Sequence, residues 1–164
     1  MRAHGDTAAL NHSFLQVVSA GVNAPKAVRD LRHRCLNPGM YAQHLERWLS
    51  LFPPQQLMII DGDELRADPA AVMTRVQYFL KIEPFFEYRD HLRFDREKGF
   101  FCPVFEGSVK CLGRSKGRKY EAISEEAETY VRRYFTGANV ALSKLLTKLR
   151  QPIPPWLELD LTRA

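Results

Sequence analysis

The sequence predicts an α/β chain that is mostly helical with few strands. Three observations carry this. Residues 57–60, Leu-Met-Ile-Ile, form a continuous apolar run just before Asp61-Gly62, which reads as a strand buried on both faces in a parallel sheet. Helical patterns flank the run on both sides, the order expected of layered α/β architecture. No second run of this kind is visible, so the chain is short of sheet for a doubly wound fold.

The elements follow in chain order. Asp6 or Thr7 can cap a first helix that carries Leu10, Phe14, Val17 and Val18 on one face and closes at Gly21. A short helix with Val28 and Leu31 inward follows Pro25. Asn37-Pro38-Gly39 opens a third, with Tyr41, Leu45, Trp48 and Leu49 on a shared face, and Phe52-Pro53-Pro54 ends it. Asp68-Pro69 starts a helix through Val72, Met73, Val76, Phe79 and Leu80: a capping carboxylate, then proline at the first turn. Residues 84–101 are rich in aromatics and charges and show no clear period. Ser124 caps a helix whose first turn holds Glu125 and Glu126, with Tyr130, Val131, Tyr134 and Phe135 inward. Asn139 opens a last helix with Leu142, Leu145, Leu146 and Leu149 inward. The Gln151-Pro152-Ile153-Pro154-Pro155 stretch stops it, and Trp156 pins the tail.

The 164 residues fit one domain, and no repeat, low-complexity tract or linker interrupts them. A composition of 45% hydrophobic and 26% charged residues is that of a globular protein. No apolar run has the length of a membrane span, and the opening MRAHGDTAAL lacks a signal-peptide core. The net charge of +5 makes anionic partners plausible and no more. Its distribution says more: Lys110, Arg114, Lys116, Arg118 and Lys119 fall within ten residues that hold no acid.

That segment, with CLGRSKGRKY at its heart, has the chemistry of an anion-binding loop. Gly113 and Gly117 allow close backbone approach, Arg118 can fork onto a phosphate, Lys116 and Lys119 add point charges, and Ser115 adds a hydroxyl. The alternative is a solvated basic loop. Phe100 and Phe101 stand just upstream: either can stack on a base, and core packing is the better reading for Phe100. Cys102 and Cys111 flank PVFEGSVK, whose Glu106-Gly107 pair is a turn signal. Two short strands folded there bring the sulfurs close, and closing so small a loop stabilises by about 2.5–3 kcal/mol. Two unrelated thiols remain the alternative, and Cys35 is left over. No metal is expected, because no CxxC or paired-histidine spacing accompanies the cysteines.

Other chemistries lack their motifs. GRSKGRKY is not a Walker A loop, and neither G-x-S-x-G nor H-E-x-x-H occurs. His4, His12, His33, His44 and His91 are scattered, as polar surface residues would be. Asp61, Asp63 and Glu64 follow the buried run where α/β sites form, yet turn and cap duty suits them better.

The block LERWLSLFPPQQLMIIDGDELRADPAAVMTRVQYFL resembles the later half of a sulfotransferase domain. The run KGFFCPVFEGSVKCLGRSKGRKY is more specific and resembles the C-terminal sulfotransferase domain of heparan sulfate N-deacetylase/N-sulfotransferases, a likeness that extends over almost the whole chain. It implies the C-terminal half of a P-loop-like sulfotransferase fold, with residues 1–164 as the C-terminal portion of the domain. It implies sulfuryl transfer from 3′-phosphoadenosine-5′-phosphosulfate to the glucosamine amine of heparan sulfate, in the Golgi lumen as part of a membrane-anchored protein. By position, Lys116, Gly117, Arg118, Lys119 and Tyr120 form a donor-nucleotide loop, supported by a Cys102–Cys111 disulfide. Phe101 stands where the family usually has tryptophan against the nucleotide; it can still stack, with less area and no N–H.

The family's Lys-Thr-Gly-Thr-type loop for the 5′-phosphosulfate, its catalytic glutamate and its serine for the 3′-phosphate find no counterpart in the chain, nor do the deacetylase domain and membrane anchor. No catalytic residue is therefore assigned, and the chain alone is expected to be inactive. The partner implied is heparan sulfate or a heparin-like glycosaminoglycan, with no nucleic acid expected. The alternative is a non-catalytic basic module that binds heparin-like polyanions or nucleic acid through aromatics and cations near residues 86–120.

Overall fold

A computed structural model describes residues 7–83, 85–113 and 122–163. The chain divides into two compact units, one of residues 1–54 with 121–164 and one of residues 55–120. Among the described residues the structure is mostly helical, with one small three-stranded antiparallel sheet. None of the described helices is long and apolar enough to cross a membrane.

The first unit is helical. The single N-terminal helix expected from the apolar spacing is two: α1 (Thr7–Asn11) and α2 (Phe14–Val18). Ser13 and Gln16 form a reciprocal capping box between them, with bonds of 3.2 and 2.8 Å, and this restart signal ends one helix and begins the next. α3 (Lys26–Leu36) follows Pro25 and buries Val28 and Leu31 as expected, against Ala8, Ala9 and Val17. In α4 (Tyr41–Leu49) the expected inward face is corrected. Ala42 is its buried residue, while Tyr41 and Trp48 are exposed; the smaller side chain lets α4 lie close to its neighbour. Gly39, just before α4, meets the same need. A Cβ there would lie 2.7 Å from the Phe135 ring, so only glycine allows this approach.

The two C-terminal helices expected either side of Asn139 are one, α7 (Glu125–Lys148). Ser124 caps it by accepting from the Ala127 amide at 3.2 Å. Gly137 weakens the interior without breaking it. Asn139, instead of capping, is buried and donates Nδ2–H to Asp160 at 2.7 Å, so a tertiary partner removes the signal that suggested a start. The tail forms an unforeseen helix, α8 (Pro155–Thr162), with Pro155 at its first turn. Leu157, fully buried, pins it; that burial is worth about 1.5–3 kcal/mol. Trp156 contributes an edge contact to Tyr41, centroids 6.3 Å apart.

The second unit begins with residues 57–60, which are not a strand. A strand requires a laddered neighbour, and none of the described segments supplies one beside this run. Three of its residues are half-buried and Ile60 is exposed. α5 (Gly62–Ala67) follows, capped by Asp61, whose carboxylate accepts from the Asp63 amide at 3.1 Å. α6 (Pro69–Leu80) starts at Asp68-Pro69 as expected: Asp68 accepts from the Ala71 amide at 3.1 Å, and Val72 is fully buried. Glu64 holds Arg75 across the two helices through a two-point ion pair. Asp61 and Glu64 thus do structural work. The segment that showed no period folds as a 3₁₀ turn (Tyr88–His91) and strand β1 (Leu92–Asp95), leading to β2 (Phe100–Phe105) and β3 (Ser108–Val109).

Candidate functional site

The sheet is built by two turns. Asp95 closes the first: its Oδ1 accepts from the Glu97 and Lys98 amides at 3.0 Å each, and Gly99, at φ 73°, donates its N–H to the Asp95 carbonyl at 2.8 Å. The second is the two-residue Glu106-Gly107 turn, with φ of 49° and 75°. Positive φ at both central positions is the hairpin turn whose twist matches its strands.

These turns set the register. Phe94 lies opposite Phe101 and Arg93 opposite Cys102; across the other ladder, Val104 faces Val109 and Phe105 faces Ser108. The Lys110 amide donates to the Pro103 carbonyl at 2.9 Å, which makes 103–110 a hydrogen-bonded pair. The next pair, Cys102 and Cys111, is therefore a close, non-hydrogen-bonded pair. Their Cα atoms are 4.8 Å apart and their sulfurs are bonded. Cys102 is fully buried.

Because side chains alternate, the disulfide occupies one face of the hairpin with Phe100 and Val104, and Phe101, Pro103 and Phe105 share the other. Phe94 and Lys110 join the second face through their partners. Phe94 and Phe101 pack edge to face with centroids 5.2 Å apart. The Lys110 ammonium lies 5.9 Å from the Phe105 ring centroid. Phe94 and Phe105 are 52% and 54% exposed, so this face presents aromatic surface to solvent.

Two further ties hold the chain that leaves the hairpin. The Lys98 ammonium donates to the Leu112 carbonyl at 3.2 Å, and the Asp95 carboxylate lies 3.6 Å from Cys111 Sγ. A disulfide sulfur carries no hydrogen, so the latter is a packing contact. Asp95, Cys102 and Cys111 bring a carboxylate oxygen and two sulfurs within 4.8 Å, but sulfurs bonded to each other offer no thiolate to a metal.

Of the residues expected to bind nucleotide, Phe101 lies on the exposed aromatic face. Lys116, Gly117, Arg118, Lys119 and Tyr120 lie outside the described residues, as do Arg114, Ser115, His4 and Asp6. Phe94, Phe105, Asp95 and Lys98 were not foreseen. For Phe105 a signal was present: once Glu106-Gly107 is taken as a two-residue turn, counting back pairs 103 with 110 and 102 with 111, and places Phe101 and Phe105 on one face. Among the histidines, His12, His44 and His91 each donate a ring N–H to a nearby carbonyl, of Ala8, Asn37 and Glu87, at 2.9–3.0 Å.

The helical unit has its own groove, of about 370 Å³, between Gly39, Tyr41, Phe135 and Trp156. Its polar groups are engaged with one another. Asp160 accepts from Arg132 at 2.9 Å and from Asn139 at 2.7 Å, while Glu128 and then Asp160 hold the Arg132 guanidinium above its ordinary pKa. This arrangement fastens α8 to α7.

Known proteins match this chain closely. The sulfotransferase domain family matches residues 7–140. The bifunctional heparan sulfate N-deacetylase/N-sulfotransferase of Drosophila melanogaster is 55% identical over 163 residues, which is 98% of this chain and 16% of that protein. Form 3 from Homo sapiens is 53% identical over 164 residues, 99% of the chain and 19% of its own length. Form 1 from Mus musculus is 47% identical over 161 residues, 98% and 18%. The chain thus spans less than a fifth of the length of the curated relatives it matches. Similar along nearly all its length to these proteins, and matched from residue 7 to 140 by the sulfotransferase domain model, the chain belongs to the sulfotransferase domain family.

Proposed function

We propose that the chain forms the donor-nucleotide side of a heparan sulfate N-sulfotransferase site, as the C-terminal portion of a P-loop-like sulfotransferase domain working in the Golgi lumen. The observation that carries this reading is the hairpin: a phenylalanine on an exposed face, and a disulfide-closed strand pair that leads directly into the basic sequence Arg114-Ser-Lys-Gly-Arg-Lys-Tyr.

Each residue has a task in this reading. Phe101 stacks on the adenine of 3′-phosphoadenosine-5′-phosphosulfate. Lys116, Arg118 and Lys119 neutralise its phosphates, with Arg118 binding through two points. Gly117 lets the backbone come close, and Tyr120 closes the loop. In the reaction the donor's phosphate–sulfur bond breaks as a nitrogen–sulfur bond forms at the glucosamine amine, and the amine releases a proton. Such a transfer depends on in-line positioning and on charge neutralisation at the leaving phosphate. The 164 residues contain no Lys-Thr-Gly-Thr-type loop to do this. By itself, then, the chain binds the nucleotide weakly and transfers no sulfuryl group.

Titration with adenosine 3′,5′-bisphosphate tests this. Binding should be selective for that nucleotide over polyphosphate and heparin at moderate salt, and Lys116→Ala should weaken it about tenfold or more, the loss of one charge-assisted contact. Equal and steeply salt-dependent binding of every polyanion would instead identify a general basic module.

A further inference from the structure

The aromatic face of the hairpin continues beyond the residue that the nucleotide reading uses. Phe105 lies four residues along the strand from Phe101, about 14 Å away on the same face. It is 54% exposed at the end of β2, and the Lys110 ammonium stands 5.9 Å from its ring centroid. Core packing does not explain a phenylalanine so placed. The contact between ammonium and ring is weak in water, so the ammonium can turn to an arriving anion. From Phe100 to Lys110 the sole acid is Glu106, in the turn.

An exposed ring with a cation at its side suits a flat-faced, negatively charged sugar. The axial C–H groups of a pyranose pack on the ring, and a carboxylate or sulfate on the same sugar pairs with the ammonium. We propose that Phe105 and Lys110 form a subsite for an acidic pyranose of the glycan acceptor, on the face whose other end takes the donor base. The assignment of the acceptor rests on the function proposed above; the subsite rests on the sheet.

The test is an NMR titration of the 164-residue chain with a hexasaccharide of alternating glucuronate and N-acetylglucosamine, beside neutral maltohexaose. The acidic hexasaccharide should shift amides of residues 103–110, and maltohexaose should not. Phe105→Ala should weaken binding about five- to tenfold, the range of a stacking contact. Phe105→Tyr, which keeps the ring, should stay within about twofold of the parent. Lys110→Gln should weaken binding and lower its salt dependence by about one counterion. Lys26→Gln, an exposed cation of the helical unit, is the control and should have no effect. The subsite is overturned if the hexasaccharide fails to bind, or if Phe105→Ala binds like the parent while Lys110→Gln and Lys26→Gln lose affinity equally. The nucleotide reading fails separately: adenosine 3′,5′-bisphosphate would then bind no differently to Phe101→Ala, whatever the hexasaccharide does.

Discussion

The two units reach stability by different routes. In the helical unit, buried residues come from α1 to α4 and from α7 and α8, and segments distant in sequence pack together, α7 against α2 and α4. In the hairpin unit, four of the described residues are buried, Ala70, Val72, Gln77 and Cys102. Local devices do the rest: an Asp95 turn, a two-residue hairpin turn, two capped helices, the ion pairs of Asp63, Glu64 and Asp68 with Arg66, Arg75 and Arg89, and one covalent bond. Both units leave large side chains at the surface, Tyr41 and Trp48 in the first and Phe94 and Phe105 in the second, but the second buries far fewer residues beneath them. A region stabilised locally keeps its aromatic surface available, and there the candidate site is found. This fits the general pattern in which binding elements come from the less densely packed part of a fold.

Breaking the difference should give unequal effects. The largest is expected for Leu157→Ala, which empties a fully buried position and should cost about 2–5 kcal/mol in denaturant unfolding. Replacing Cys102 and Cys111 together by alanine should cost the hairpin unit about 2.5–3 kcal/mol, with the helical unit unchanged by circular dichroism. An equal loss in both units would overturn the separation drawn here. Asp160→Ala leaves the buried Asn139 amide without its acceptor and should cost about 1–3 kcal/mol.

The smallest effect concerns pH. The Arg75 guanidinium holds the Glu64 carboxyl below its ordinary range, and the Ala71 amide and then Arg89 do the same for Asp68. Folded values lower than unfolded ones mean that both groups stabilise fully above the ordinary carboxylate range, about pH 4, and lose this as pH falls through the lower folded values. Both groups lie at the surface, so the effect is small. Amide exchange in α5 and α6 should rise on acidification over that window, and Glu64→Gln should remove part of the dependence.

How much of this was legible depended on range. Signals between neighbours in sequence read correctly: the Asp68-Pro69 start, the Ser124 cap and the Glu106-Gly107 turn all appear in the structure. Signals whose outcome depends on a distant partner misled. Residues 57–60 have the composition of a buried strand and lack a laddered neighbour among the described segments. Asn139 has the preferences of a cap, but Asp160, distant in sequence, takes its side chain. Phe101, half-buried in the structure on the face that Phe94 and Phe105 expose, was legible as an aromatic just before a basic loop. Phe94 and Phe105 were not, because their common face emerges only when register and alternation are combined. Lys116, Gly117, Arg118, Lys119 and Tyr120 stand on the sequence and the resemblance, and the nucleotide titration addresses them directly.

The pairing of Cys102 with Cys111 also acts as a proofreading step. A slip of one residue between β2 and β3 would turn one sulfur to the opposite face and separate the pair. The same slip would part Lys110 from Phe105. Oxidation can therefore complete only in the alignment that sets the ammonium beside the Phe105 ring, so the covalent bond on one face certifies the arrangement of the other.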